Sequence, residues 1–80
     1  MKTIRVLIRK TRAAYLLQAY GALQERRGKS DEALELYEQA HAAGNAGATY
    51  HMGVMYDQGY GVEENQSKAI EMYKQALGMI

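Results

Sequence analysis

The chain contains neither cysteine nor proline, and none of its apolar runs approaches the ~20 residues that a bilayer-spanning helix needs. Without cysteine there is no disulfide framework, no thiolate metal site and no cysteine nucleophile. A reducing, cytoplasmic setting fits that absence. Proline, the strongest helix breaker, is missing, while Ala, Leu, Glu, Gln, Lys and Arg are plentiful, a composition that favours helix nearly everywhere. Eighty residues form one small domain. A core of that size seldom supplies more than ~3–5 kcal/mol without staples or idealised helix packing. The expectation is a soluble, all-α domain.

Acid is scarce at the front of the chain. Residues 1–29 carry Lys2, Arg5, Arg9, Lys10, Arg12, Arg26, Arg27 and Lys29 against Glu25 alone, a net charge of +7. Residues 30–80 carry eight acids against Lys68 and Lys74, a net −6. Such asymmetry suits an acidic partner for the front, or attraction between the front of one molecule and the back of another. The plainer reading is a set of solvated helix faces.

Residues 32–40, EALELYEQA, return at 68–76 as KAIEMYKQA, a period of 36 with five identities in nine positions. A period of that length marks stacked repeats, in which no unit buries its apolar face alone. It points to a scaffold rather than a catalyst. Gly28, Gly44, Gly47, Gly59 and Gly61 punctuate segments of helical length. Ser30 before Asp31 and Glu32 reads as a helix N-cap, and Gly44 as the left-handed end of that helix. Helices are expected over 14–27, 31–43, 46–57 and 66–78, with Asn65 capping the last. Their inward sets are Leu17, Tyr20, Gly21 and Leu23; Ala33, Leu34, Tyr37, Ala40 and His41; and Ala69, Ile70, Tyr73, Ala76 and Leu77. Gly21 and Gly53 sit mid-helix at matching places. Each costs about 1 kcal/mol relative to Ala, which argues for close helix–helix contact there. Residues 1–12 have no later counterpart. As a helix they put Lys2, Arg5, Arg9 and Arg12 on one face and Ile4, Leu7, Ile8 and Thr11 on another. That polarity inverts near Ala13, where the helix changes surroundings or breaks. A strand through Ile4, Val6 and Ile8 would have nothing in the chain to pair with.

Residues 46–77 resemble a Sel1-like repeat. The matching features are Met52-Gly53, Tyr56, the loop Gly59-x-Gly61-Val62, Lys68-Ala69, Tyr73 and Ala76, with Asn65 where that family often has Asp. Residues 14–45 are more similar to a tetratricopeptide unit, through Gly21, Gly28 and Ala33-x3-Tyr37-x2-Ala40. There Leu17 replaces a common Trp, Gln24 a common Tyr, and Asn45 the proline that often closes the unit. The distance from the mid-helix glycine to the first alanine of the second helix is 12 residues in one unit and 16 in the other. That difference is the loop extension characteristic of Sel1-like repeats. The resemblance implies an α/α superhelix of two helix-turn-helix (TPR/Sel1-like) repeats. It divides the chain into a basic extension (1–13), a tetratricopeptide-like unit (14–45) and a Sel1-like unit (46–80). It also implies a concave face that holds a peptide or protein partner, with no cofactor.

Catalytic chemistry finds little footing. His41 and His51 lie on different expected helices, and no ligand pair has the i, i+4 spacing of a zinc motif. Ser30 and Ser67 read as cap or first-turn residues, and Gly59-Tyr60-Gly61 lacks the Lys and Ser/Thr of a phosphate loop. Those glycines permit positive φ, so that the loop turns and Val62 tucks in. Tyr20, Tyr37, Tyr56 and Tyr73 fall at expected repeat contacts. Tyr15 and Tyr50 fall on the opposite helix face, which lines the groove in proteins the chain resembles. With Gln18, Ala22, Glu25, Val54 and Asp57 they would form a shallow site with aromatic anchors, the residue type that dominates binding energy.

The leading expectation is therefore an interaction scaffold binding a protein or peptide, not an enzyme, with no metal and no small-molecule substrate. An alternative rests on residues 1–20, rich in arginine and free of acid, as a helix that meets an anionic membrane or a nucleic acid. A third is structural. Two repeats are fewer than the three or more usually required, and Met79-Ile80 is apolar and uncapped. A fragment of a longer array, or a homo-oligomer completed through exposed repeat ends, would follow.

Overall fold

The computed structural model describes residues 2–80, with side chains from Thr11 onward. The basic stripe of Lys2, Arg5 and Arg9 and the apolar face of Ile4, Leu7 and Ile8 lie outside the described side chains. Four helices make up the fold: α1 (Lys2–Arg26), α2 (Ser30–Ala42), α3 (Ala46–Gln58) and α4 (Gln66–Gly78). There is no strand among the described residues, and no described helix is long and apolar enough to cross a membrane. α1 does not break near Ala13. Its 25 residues run continuously, ~37 Å against ~20 Å for α2 at ~1.5 Å per residue.

Backbone chemistry sets the turns. At the end of α1 the Lys29 amide bonds to the Gln24 carbonyl and the Gly28 amide to that of Glu25, with Gly28 at φ +79. The end of α2 repeats this with Asn45 to Ala40 and Gly44 to His41, and Gly44 at φ +89. This six-to-one, five-to-two pattern needs a left-handed residue, which glycine supplies without a Cβ penalty. Asn45 and Asn65 then start α3 and α4, each side chain accepting from the backbone amide three residues on, Ala48 at 2.8 Å and Lys68 at 3.0 Å. Ser30 is not the cap expected of it. Lys29 holds that position without a side-chain bond. The turn closes so tightly that Ser30 is already helical, and its Cβ would lie 2.6 Å from one built on Gly61.

Neighbouring helices pack in sequence, α1 on α2, α2 on α3 and α3 on α4. The core gathers Ala33, Tyr37, Ala40, Ala48, Met52, Met55 and Met72, with Leu17, Leu34, Tyr56 and Val62 against it. Val62 does tuck in beneath the glycine loop. Small residues let the axes approach, and two tyrosines use the space. A Cβ on Gly21 would fall 2.7 Å from Cε1 of Tyr37, and one on Gly53 would fall 2.6 Å from Cε1 of Tyr73. The two helix pairs thus share one glycine–tyrosine contact. Several residues expected inside are exposed instead: Tyr20 and Leu23 on α1, Ile70 and Leu77 on α4. The apolar stripe is real in each case, but no further described helix lies over the outer side of α1 or α4.

Candidate functional site

Tyr15, Gln18, Ala22 and Glu25 stand on α1 at spacings of three, four and three residues, which places them along one helix face. Tyr50, Val54 and Asp57 do the same on α3. Tyr15 and Tyr50 are exposed, and the other five are half-buried. The two rows meet near the start of α3. There the Gln18 amide packs so closely on Gly47 that a Cβ would lie 2.5 Å from its Nε2. Tyr50 is held by rings on its inner side, 5.5 Å from Tyr73 and 6.1 Å from His51 between centroids.

Each row also sets an acid beside a phenol. Burial, with the Glu25 carboxylate adding to it, pushes the Tyr37 hydroxyl from its usual 10.0 up to about 12. Burial raises Tyr73 as well, with smaller contributions from Asp57 and Tyr50. Glu25 and Asp57 are 32 residues apart, as are Gly21 and Gly53, so the arrangement is duplicated. The Tyr37 hydroxyl is fully buried and has no hydrogen-bond partner among the described residues.

The histidines are engaged elsewhere. His51 stacks on Tyr37 at 4.9 Å with 6° between ring planes, and His41 Nδ1 lies 2.6 Å from the Thr49 hydroxyl. Among the described residues no three His, Cys, Asp or Glu converge on a point.

Sequence reasoning missed a second feature. Between α3 and α4 runs an apolar groove of about 290 Å³, walled by Gly47, Tyr50, Tyr73, Ala76, Leu77 and Ile80. Of the seven residues expected to bind a partner, it takes Tyr50 alone. The available signal was Leu77, which stands in the 36-residue period where α2 has His41. Gln24 was also passed over. It is buried, and its amide donates to the Glu32 carboxylate, linking α1 to the first turn of α2. The face offers exposed aromatic surface and two half-buried carboxylates. No family model, curated protein or solved structure matches the chain.

Proposed function

We propose that the chain is a protein-interaction scaffold. Its helix pairs act as two units of an α/α superhelix, tetratricopeptide-like and then Sel1-like. A peptide or protein segment is held along the α1–α3 face by Tyr15, Gln18, Ala22, Glu25, Tyr50, Val54 and Asp57. The observation that carries this reading is the pair of rows on α1 and α3, in which the positions of Gln18, Ala22 and Glu25 recur 32 residues on as Tyr50, Val54 and Asp57, each row with one exposed tyrosine and one carboxylate. Exposed aromatic rings supply contact area at low entropic cost, and paired carboxylates select cationic segments. A fluorescent peptide of alternating Arg and Tyr, with a Glu–Tyr counterpart as control, tests it by anisotropy. The basic peptide should bind, and Tyr15→Ala with Tyr50→Ala should abolish binding while leaving the melting temperature nearly unchanged. Binding that survives the double substitution would remove the face assignment.

A second reading rests on the continuity of α1, which carries the basic segment on the same helix as the folded unit. In it, residues 1–12 meet an anionic surface. Binding to anionic vesicles or to RNA should then fall steeply with salt and vanish when residues 1–12 are deleted. Binding that persists without those residues would discard it.

A further inference from the structure

α3 lies in a slot made by α1 and α2. Gly47 comes against Gln18, His51 stacks on Tyr37, and Thr49 meets His41. Ala48, Met52 and Met55 of α3 are buried in one cluster with Ala33, Tyr37 and Ala40 of α2. Because Gly21–Tyr37 and Gly53–Tyr73 are the same contact, residues of the first helices correspond at 32 and those of the second helices at 36. Under that correspondence Gln18, Tyr37, Ala40, His41 and Gly44 become Tyr50, Tyr73, Ala76, Leu77 and Ile80. These five residues are walls of the 290 Å³ groove. The groove is therefore a second copy of the slot that α3 fills, open, and with the polar Gln18 and His41 replaced by apolar or aromatic residues. Leu77 is 75% exposed and Ile80 94%.

The same correspondence places Ala48, Met52 and Met55, which α3 buries in the core cluster, at Leu16, Tyr20 and Leu23 on α1. Those three are 58%, 52% and 48% exposed. The molecule thus displays an empty slot and, on its first helix, a face of the kind that fills such a slot. Charge agrees with the match. The face lies in the segment of net +7 and the groove between helices of the segment of net −6.

We propose that a second copy of this chain seats the Leu16–Tyr20–Leu23 face of its α1 in the α3–α4 groove, head to tail. The intermolecular joint replaces all three of the internal side-chain contacts, because Tyr15, Leu17 and Ala19 stand where α3 has Gly47, Thr49 and His51. Tyr15 stands where Gly47 stands, so the copies remain about a ring's thickness further apart there, and Tyr15 meets Tyr50. The contact is heterologous. Each added copy leaves one face and one groove free, and growth continues into a ring or an open fibre.

The experiment uses the full chain and two single variants, Leu77→Lys in the groove and Tyr20→Glu on the face. Each puts a charge against its like, at a side chain that is already exposed. Molar mass is read by light scattering over a range of concentration, with helical content and melting checked by circular dichroism. The wild type should grow in mass past a dimer as concentration rises. Each variant alone should stay monomeric, its association weakened by roughly 10- to 100-fold, as expected for a lost large apolar contact. An equimolar mixture should form a dimer and stop there, since Leu77→Lys retains its face and Tyr20→Glu retains its groove. A wild type that is monomeric at every concentration overturns the proposal and leaves the groove to another occupant. So does a Tyr20→Glu variant that still dimerises, which would mean groove-to-groove pairing, or a mixture that remains monomeric. Should Leu77→Lys fail to fold, Ile80→Lys at the rim carries the same test. Tyr15 and Tyr50 belong to both surfaces, so peptide binding is read on the Leu77→Lys monomer, which keeps both tyrosines and separates failure of one proposal from failure of the other.

Discussion

Gly21→Ala places a methyl group where the structure has none to spare. Its carbon would lie 2.7 Å from Cε1, 2.9 Å from Cδ1 and 3.3 Å from Cζ of Tyr37. Carbon pairs rest at ~3.5–4.0 Å, so ring or helix must retreat by about 1 Å. Tyr37 is fully buried and backed by His51 stacked at 4.9 Å, which leaves the ring no direction to yield. Overpacking a tight core costs ~1–3 kcal/mol, and a rigid ring with two overlapping carbons belongs near the top of that range. Replacing a mid-helix glycine by alanine returns about 1 kcal/mol of helix propensity. The net loss is then ~2 kcal/mol, which for a domain of this size lowers the melting temperature by roughly 8–16 °C. Gly53→Ala makes the equivalent contact with Tyr73 at 2.6 Å, but that ring is half-buried and can swing outward. Its net effect should stay within about 1 kcal/mol of zero. Thermal and urea melts followed by circular dichroism read both variants. In a Tyr37→Leu background Gly21→Ala should turn neutral or stabilising, a coupling of ~2 kcal/mol. A Gly21→Ala protein as stable as the wild type would refute the reasoning, because the glycine would then serve no close approach.

The Tyr37 proton is held to about 12 in the folded chain and released near 10.0 in the unfolded one. The folded state therefore binds it more tightly, its contribution is complete below pH 10, and stability should decline as pH rises from there towards 12. Tyr37→Phe should flatten that decline without abolishing it, since Tyr73 is also raised. At neutral pH the same variant should be as stable as the wild type or more so by ~1 kcal/mol, because the hydroxyl it removes is buried without a partner among the described residues. Melts at stepped pH would expose an error if the variant kept the full alkaline slope. Asn45→Ala and Asn65→Ala each remove a side-chain cap and should each cost ~1 kcal/mol in urea denaturation, whereas Ser30→Ala, which removes none, should cost much less.

The helices were legible in the sequence because their signals are local. Alanine and tyrosine spacing marked α2 and α4, and the glycines that end α1, α2 and α3 take the left-handed φ that a stop requires. The mid-helix glycines also revealed their purpose, as each meets a tyrosine ring. What the pattern could not reveal is coverage. Periodicity identifies an apolar stripe, but whether another helix lies on it depends on the count and order of packed units. Tyr20, Leu23, Ile70 and Leu77 read as interior for that reason and are exposed. Ser30 misled for a different reason, since its chemistry suits a cap but the tight turn at Gly28 and contact with Gly61 assign that position to Lys29. The seven candidate binding residues could be placed on their helix faces from spacing alone. The approach of Gln18 to Gly47, and the ring contact that sets Tyr50 on the wall of a groove with Tyr73, required the tertiary structure.

The proposed function stands or falls with the α1–α3 face as the surface that holds a partner. Amide chemical-shift mapping of the full chain during titration with the Arg–Tyr peptide tests it most directly. The shifts should concentrate on Tyr15, Gln18, Ala22, Glu25, Tyr50, Val54 and Asp57 and saturate together, while the outer residues of α2 stay still. Shifts centred on α2 or on the 59–64 loop, or none at any peptide concentration, would contradict it.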